Sequence, residues 1–385
     1  MNDRIKFIDG IRGFAVLFVA FCHFTSMFLP AVKEATNTAG TIFNHTPLAF
    51  VIYGSASVQC FFLLSGFLIA SNIHNNGLNR YSPLKTYKKL LRIVLPAIIL
   101  SFLLMAFGLV YHTKAADIYP ELSYAYWYNT FTPTVGSMLK DIFFNTFFKC
   151  SSQYVPPFWT IGYEFVGTIG ITLLSYFTSQ HKKQNQIIFY LVLCIIILFM
   201  FPSEYVSFVV GALLFAVQAI IENEEDDSRF RRFLKKVLLK TPVLILLMLI
   251  GIYLAGTNFD FGGIYKILAY IPVLSKHSLV FRIIGVFLCL FVILNSPGLK
   301  KILSMKGLSF LGKHSGYIYA FHWLVIISLG CGMYLLLAEH FPKWLLLTIL
   351  FVLAIVIPIG LSYGCKALYK QVDKLEKRII SAIKK

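Results

Sequence analysis

The sequence predicts an all-α, polytopic integral membrane protein with about ten transmembrane helices. Hydrophobic residues form 58% of the chain and charged residues only 14%. The mean hydropathy of +0.74 also lies outside the usual range of soluble domains. Apolar stretches of about the length that crosses a bilayer recur along the chain. They lie near residues 14–30, 52–72, 92–111, 159–178, 187–201, 204–221, 242–256, 280–296, 315–337 and 343–366.

The distribution of Lys and Arg predicts which loops share a side of the membrane. An even number of spans places both termini on one side, and cytoplasmic loops collect basic residues. The loops on the other side of the predicted spans are sparse in basic residues. The basic segments are the N-terminus, 80–92, 182–183, 229–240, 300–313 and the tail from residue 366. We therefore predict that both termini are cytoplasmic. Residues 201–205 predict a tight hairpin between two short spans.

We predict one transmembrane domain, residues 1–370, followed by a basic cytoplasmic tail, residues 371–385. The net charge is +18, but the basic residues concentrate on one side of the membrane. Positive-inside insertion and contact with anionic membrane lipids explain them there, so no nucleic-acid partner is predicted. The seven cysteines are scattered without metal or redox spacing, and no metal site is predicted.

Arg12 and His23 are the first candidate site residues. They stand eleven residues apart in and beside the first span, which on a helix separates them by roughly 16 Å and returns them to nearly the same face. Ionisable groups within a membrane span are costly and are functional by default. A lone His hydrogen-bonded to a neighbouring helix is the alternative interpretation.

Two further polar segments follow in the second and third spans. Ser65 and its neighbour Gly66 form a small notch, which favours close helix packing, with close approach of a ligand as the alternative. Lys88, Lys89 and Arg92 stand where the third span leaves the cytoplasm. They serve as an ordinary orientation signal or bind phosphate, for which the guanidinium fork is suited.

Glu164 and His322 complete the candidate set. Glu164 lies within the first turns of an otherwise uncharged span, and a carboxylate there needs a partner such as Arg12, His23 or a substrate hydroxyl. His322 is a second imidazole inside a span. One such group is unremarkable, whereas two imidazoles with a carboxylate and a guanidinium indicate a polar site.

The five segments that carry these residues resemble, in this order, the acyltransferase type 3 family of polytopic membrane enzymes. That family has F-x-D-G-x-R-G-x-A followed by His, a second span with F-F-x-L-S-G-F-L-I, a basic third segment ending in Pro, F-W-T/S-L-x-x-E, and L-G-K-x-S-Y-x-x-Y-x-x-H-W. Here the segments are 7–23, 57–69, 87–96, 156–164 and 308–323. The ordered set covers most of the chain and is far more specific than any one element.

The resemblance implies roles for these residues. It assigns Arg12 and His23 to an essential Arg-x10-His pair, and it places Lys88, Lys89 and Arg92 at the basic donor-side motif. We predict that the acyl donor is bound by Arg12, Ser65, Lys88, Lys89 and Arg92. Glu164 falls on the acidic position and His322 on the late His. The chain departs from the family at Ser57, at Gln59, where many members have Asp, and at Gly316. Gln59 cannot supply a carboxylate.

The resemblance further implies a bacterial inner-membrane O-acyltransferase. The acyl donor would be an acyl-CoA, commonly acetyl-CoA, and the acceptor a hydroxyl of a surface polysaccharide such as O-antigen, capsule or exopolysaccharide, or of a lipid-linked glycan. His23 would act as general base or as an acyl relay. A transporter or glycan flippase with a proton relay and a non-catalytic scaffold are the alternatives.

Overall fold

The computed structural model describes residues 3–80, 82–125, 130–200, 204–257, 263–270 and 278–383, and all regular structure in these ranges is helical. The α-helices are α1 (Asp3–Phe28), α2 (Pro30–Lys33), α3 (Thr38–Asn44), α4 (Ala49–Tyr53), α5 (Ser55–Asn76), α6 (Pro83–Ala106), α7 (His112–Ile118), α8 (Val135–Lys140), α9 (Thr146–Phe148), α10 (Trp159–Thr178), α11 (Lys183–Met200), α12 (Tyr205–Glu222), α13 (Arg229–Phe233), α14 (Thr241–Ala255), α15 (Lys266–Ala269), α16 (Ser278–Asn295), α17 (Pro297–Leu303), α18 (Lys306–Val325), α19 (Cys331–Leu337) and α20 (Lys343–Ile383).

Shorter helical turns connect some of these helices. The 3₁₀ turns are Gly77–Arg80, Pro120–Ala125, Pro156–Phe158 and Gly263–Tyr265, and the π-helical turns are Asp141–Asn145, Leu234–Leu238 and Ile326–Gly330. The last of these joins α18 to α19, and together they form one apolar helical stretch, Lys306–Leu337.

The all-α, polytopic membrane fold is confirmed. Helices occur at all ten apolar stretches that the sequence predicts. Among the described residues, seven helices are long and apolar enough to cross a membrane. An eighth is added if Arg229–Leu238 and Thr241–Ala255, which meet at a bend of 85°, form one span. The apolar part of α11, Lys183–Leu198, is shorter, and α10 carries Glu164 and several Thr and Gly residues.

Two boundary predictions remain predictions. Residues 201–203 of the predicted hairpin lie outside the described residues, although the flanking helices α11 and α12 pack against each other. The predicted boundary between residues 370 and 371 coincides with no break, since α20 runs without interruption from Lys343 to Ile383.

The chain forms two compact units. The first contains Met1–Thr25, Leu29–Thr86 and Tyr163–Gly312, and the second contains Ser26–Phe28, Tyr87–Gly162 and Lys313–Lys385.

In the first unit, α5 and α12 approach each other most closely at two glycines. A Cβ on Gly66 would lie 2.1 Å from the Phe208 carbonyl oxygen, and one on Gly211 would lie 2.1 Å from the Leu63 carbonyl oxygen. Small residues allow membrane helices to bring their backbones together. The notch at Gly66 therefore serves close helix packing, and Phe62 stacks on Phe208 beside it with ring centroids 4.9 Å apart.

In the second unit, α18 is fixed against the turn that precedes α10. The Tyr319 hydroxyl donates to the Pro157 carbonyl and lies 2.6 Å from the Thr160 hydroxyl. The rings of Phe158 and Tyr319 stack with centroids 6.4 Å apart. Trp323 on the same helix is fully buried. These contacts hold the helix that carries His322.

Candidate active site

Arg12 and His23 lie on α1 in the first unit. Because α1 is an unbroken helix, their eleven-residue spacing places them on nearly the same face, roughly 16 Å apart along the axis. Both side chains are partly buried. The Arg12 guanidinium interacts electrostatically with the Cys60 thiol of α5. Among the described residues, no carboxylate forms a salt bridge with Arg12, so its charge suits an anionic ligand.

Glycines fix the backbone on both sides of Arg12. A Cβ on Gly10 would lie 1.8 Å from the Leu303 carbonyl oxygen, and one on Gly13 would lie 2.3 Å from the Leu308 carbonyl oxygen. Only glycine permits such contacts between backbones. The motif that surrounds Arg12 thus sets the distance of α1 from α17 and from the start of α18, and it holds the guanidinium in a defined position.

Glu164 on α10 accepts a hydrogen bond from Ser65 on α5. The distance from the Ser65 hydroxyl oxygen to Glu164 Oε1 is 2.7 Å, and both side chains are partly buried. The sequence predicted Arg12, His23 or a substrate hydroxyl as partners of Glu164 and did not predict Ser65. The bond gives Ser65 a role in orienting the carboxylate, while its role on the donor side stays a prediction.

Arg92 lies in a basic cavity of the second unit, with a volume of about 410 Å³. It pairs with Asp373 of α20, and its guanidinium lies 5.5 Å from the centroid of the Tyr369 ring. The other lining residues are Tyr317, Lys366, Lys370 and Lys374. Pockets of this size bind small molecules and cofactors. Four basic side chains against one carboxylate suit a ligand with several phosphates.

The cavity refines the prediction for the third span. Lys88 and Lys89 are exposed and do not line it, so only Arg92 of that motif belongs to the cavity. The sequence analysis missed the contribution of α20. The signal was present, because Lys366, Lys370 and Lys374 recur every four residues, which places them on one face of a helix.

His322 is fully buried in the second unit. Its Nδ1 lies 3.0 Å from the Ile318 carbonyl oxygen one turn earlier on α18, and its ring lies 6.0 Å from the Tyr319 ring. His322 and Arg92 belong to the second unit, whereas Arg12, His23, Ser65 and Glu164 belong to the first. The direct pairing of His322 with His23 therefore stays a prediction.

A buried polar cluster in the first unit was not predicted from the sequence. The Gln59 amide donates to Glu204, and the Ser207 hydroxyl donates to the Gln59 carbonyl. Glu204 also interacts electrostatically with Arg282, whose Nη1 donates to the Thr257 carbonyl at 3.2 Å. A carboxylate therefore stands beside Gln59 after all, supplied by Glu204 directly before α12. The overlooked signal was an Arg inside the predicted span 280–296.

Fold and site together define a multi-pass membrane protein with buried and partly buried ionisable groups and a basic cavity. A family model described as an acyltransferase domain matches residues 5–363, nearly the whole chain. The protein therefore belongs to the acyltransferase type 3 family, as its five motifs predict, and is a membrane acyltransferase. No curated protein and no solved structure matches the chain.

Glu204→Gln should destabilise the protein because it removes the negative charge that offsets the buried Arg282. Breaking a buried charge pair typically costs about 3–5 kcal/mol. We expect a clear fall in the Tm of the detergent-solubilised variant. Glu224→Gln, in an exposed loop, is the matched control and should leave the Tm unchanged.

The double variant Glu204→Gln, Arg282→Gln should recover part of the lost stability, since neither charge is then buried alone. If the loss of stability in the double variant equals the sum of the losses in the two single variants, the two residues are not coupled.

Proposed function

We propose that the protein transfers an acyl group, acetyl in the first instance, from acetyl-CoA to a hydroxyl of a bacterial surface polysaccharide or lipid-linked glycan. The observation that carries the donor assignment is the cavity around Arg92. Its lysines and guanidinium suit the phosphates of CoA. The rings of Tyr317 and Tyr369 suit stacking with the adenine base.

His23 is proposed as the general base. It accepts the proton of the glycan hydroxyl while the hydroxyl oxygen attacks the thioester carbonyl carbon. The carbon–sulfur bond then breaks, and the CoA thiolate leaves and takes up a proton. An imidazole titrates near neutral pH and can both accept and return a proton. If the acyl group first moves onto the His23 imidazole, the same hydroxyl attacks the acyl-imidazole instead.

Arg12 and Glu164 are proposed to assist. The Arg12 guanidinium would hold a phosphate of the donor, because no described carboxylate neutralises it. Glu164, oriented by Ser65, would accept a hydrogen bond from the glycan hydroxyl or stabilise the imidazolium that forms at His23. His322 is retained as a catalytic candidate through its burial and its position in the late family motif.

We further propose that the protein lies in the bacterial inner membrane with both termini in the cytoplasm. The basic loops support this orientation through the positive-inside rule. Arg92 and the lysines of α20 belong to those basic segments, so the donor cavity would open toward the cytoplasm, where acyl-CoA is made. A transporter or flippase would use the same buried groups without consuming a thioester.

The decisive experiment follows acetyl transfer from isotopically labelled acetyl-CoA. The purified protein, in lipid nanodiscs, is mixed with surface glycan isolated from a strain that lacks this gene. We expect glycan-dependent release of free CoA and label on the glycan. The His23→Gln variant should be at least about 10²-fold less active, because general base catalysis usually contributes a factor of this size.

His181→Gln, at an exposed histidine, should retain full activity. Absence of CoA release with intact, folded protein would favour the transporter. Equal activity of His23→Gln and His181→Gln would remove His23 from the reaction.

Arg92→Gln should raise the Michaelis constant for acetyl-CoA with little change in kcat, because a phosphate contact in the ground state is lost. Lys370→Gln, in the same cavity, should do the same to a smaller extent. Lys235→Gln, at an exposed lysine outside the cavity, is the matched control. A changed kcat with an unchanged Michaelis constant for the donor would contradict the cavity as the donor site.

Glu164→Gln should lower kcat strongly, and Ser65→Ala should lower it less, since the Ser65 variant removes one hydrogen bond and keeps the charge. If Ser65 acts through Glu164, its removal leaves the Michaelis constant for acetyl-CoA unchanged. A raised Michaelis constant for acetyl-CoA with a normal kcat would instead support the prediction that Ser65 binds the donor. Ser71→Ala on the same helix serves as the control, and the Tm of each variant shows whether lost activity reflects unfolding.

A further inference from the structure

An apolar pocket of about 210 Å³ lies beside α1 in the first unit, between α5, α14 and α16. The side of α1 that lines it carries Ile11, Phe14 and Phe18, and α14 contributes Met248 and Ile252. Phe14 is 46% exposed, so this wall is open at the surface. No charged side chain lines the pocket among the described residues. Its lining therefore suits a hydrocarbon chain.

The pocket lies against a different face of α1 from the candidate site residues, although Cys60 of its lining interacts electrostatically with the Arg12 guanidinium. On a helix with about 100° per residue, Ile11, Phe14 and Phe18 share one direction, whereas Arg12 and His23 point roughly 120° away. The two faces of α1 thus differ in chemistry, apolar on the side of the pocket and ionisable on the other.

A basic cavity of about 560 Å³ adjoins the pocket at the N-terminal end of α1. Lys6, Lys300 and Lys301 line it, with Glu222 as the one carboxylate among the described lining residues. The Glu222 carboxylate accepts a hydrogen bond of 2.9 Å from Gln218. The described lining thus carries three ammonium groups and one carboxylate, and ammonium groups bind phosphate through charge-assisted hydrogen bonds.

The pocket and the cavity lie next to each other along α1, because Phe7 of the cavity and Ile11 of the pocket are four residues apart on one face of the helix. Leu303 lines the pocket, and the next residue, Ser304, lines the cavity. On α16, Ile293 lines the pocket and Leu294 lines the cavity. Ile8 of the cavity lies one helical turn from Ile11 of the pocket. From Phe7 to Phe18 the combined site extends roughly 16 Å along α1. This length is about half of the roughly 30 Å hydrocarbon thickness of a bilayer.

We propose that this site binds an anionic phospholipid of the leaflet that faces the basic loops. The phosphate lies among Lys6, Lys300 and Lys301, and one acyl chain lies along Ile11, Phe14 and Phe18. The dimensions fit one leaflet, and the charge fits a phosphate carried at the membrane surface. A free phosphate would leave the apolar part of the site empty. Because Lys6 and Phe7 belong to α1, the bound lipid also holds the helix that carries Arg12 and His23.

The test measures lipid binding by native mass spectrometry of the purified full-length protein, without substrate or turnover. Phosphatidylglycerol and phosphatidylcholine with identical chains are the probes. We expect retention of phosphatidylglycerol, little phosphatidylcholine, and a higher Tm in phosphatidylglycerol. Lys300→Gln with Lys301→Gln should weaken phosphatidylglycerol binding by roughly tenfold or more, given about 1 kcal/mol for each basic residue near an anionic surface.

Lys235→Gln with Lys236→Gln removes two exposed lysines outside the site and should leave binding unchanged. Ile252→Trp, which fills the apolar pocket without changing its charge, should also weaken binding. If that variant does not fold, the two lysine pairs decide alone.

Three outcomes would overturn the proposal. The protein could bind both lipids equally, the two double lysine variants could lose the same amount of phosphatidylglycerol binding, or glycerol phosphate alone could displace the lipid. Because no acyl transfer is measured, these outcomes are independent of the proposed enzymatic function.

Discussion

The hydrocarbon interior of a bilayer offers no water to polar side chains, and this constraint organises the first unit. Glu164 is satisfied by Ser65, and Gln59 by Glu204 and Ser207. These bonds join α5 to α10, to the residue before α12 and to α12 itself. Apolar contacts alone would let neighbouring helices slide, whereas a hydrogen bond between them fixes one register. The polar groups that could carry the chemistry therefore also hold the helices in place, so the consequences of changing them must be measured for stability as well as for activity.

Close backbone contacts complete this arrangement. Gly10 and Gly13 bring α1 against α17 and the start of α18, and Gly66 brings α5 against α12. A rigid first helix gives Arg12 a fixed place, and binding sites on rigid elements are more precise than sites on loops. The same helix has a second, apolar face of different chemistry. One element of the fold therefore presents an ionisable face and an apolar face to its surroundings.

The second unit contributes groups of a different kind. Arg92 on α6 and the lysines of α20 form a basic cavity. These side chains lie near the ends of long apolar helices, where charge can reach water while the stems pack on apolar surface. Part of the large excess of positive charge in the chain is thus gathered in this cavity. Composition alone could not indicate this clustering.

The sequence by itself determined the helices, the membrane class, the family and the common face of Arg12 and His23. Each follows from hydropathy or order along the chain, or from the rise and rotation of a single helix. Only the tertiary structure decided which side chains meet across helices. In the sequence, Gln59 stands where many family members have a carboxylate, yet in the structure Glu204, 145 positions away, places a carboxylate beside it. Ser65 reads as a packing notch, yet its hydroxyl orients Glu164. Such pairs depend on which helices pack together and in which register, and no periodicity within one helix records that.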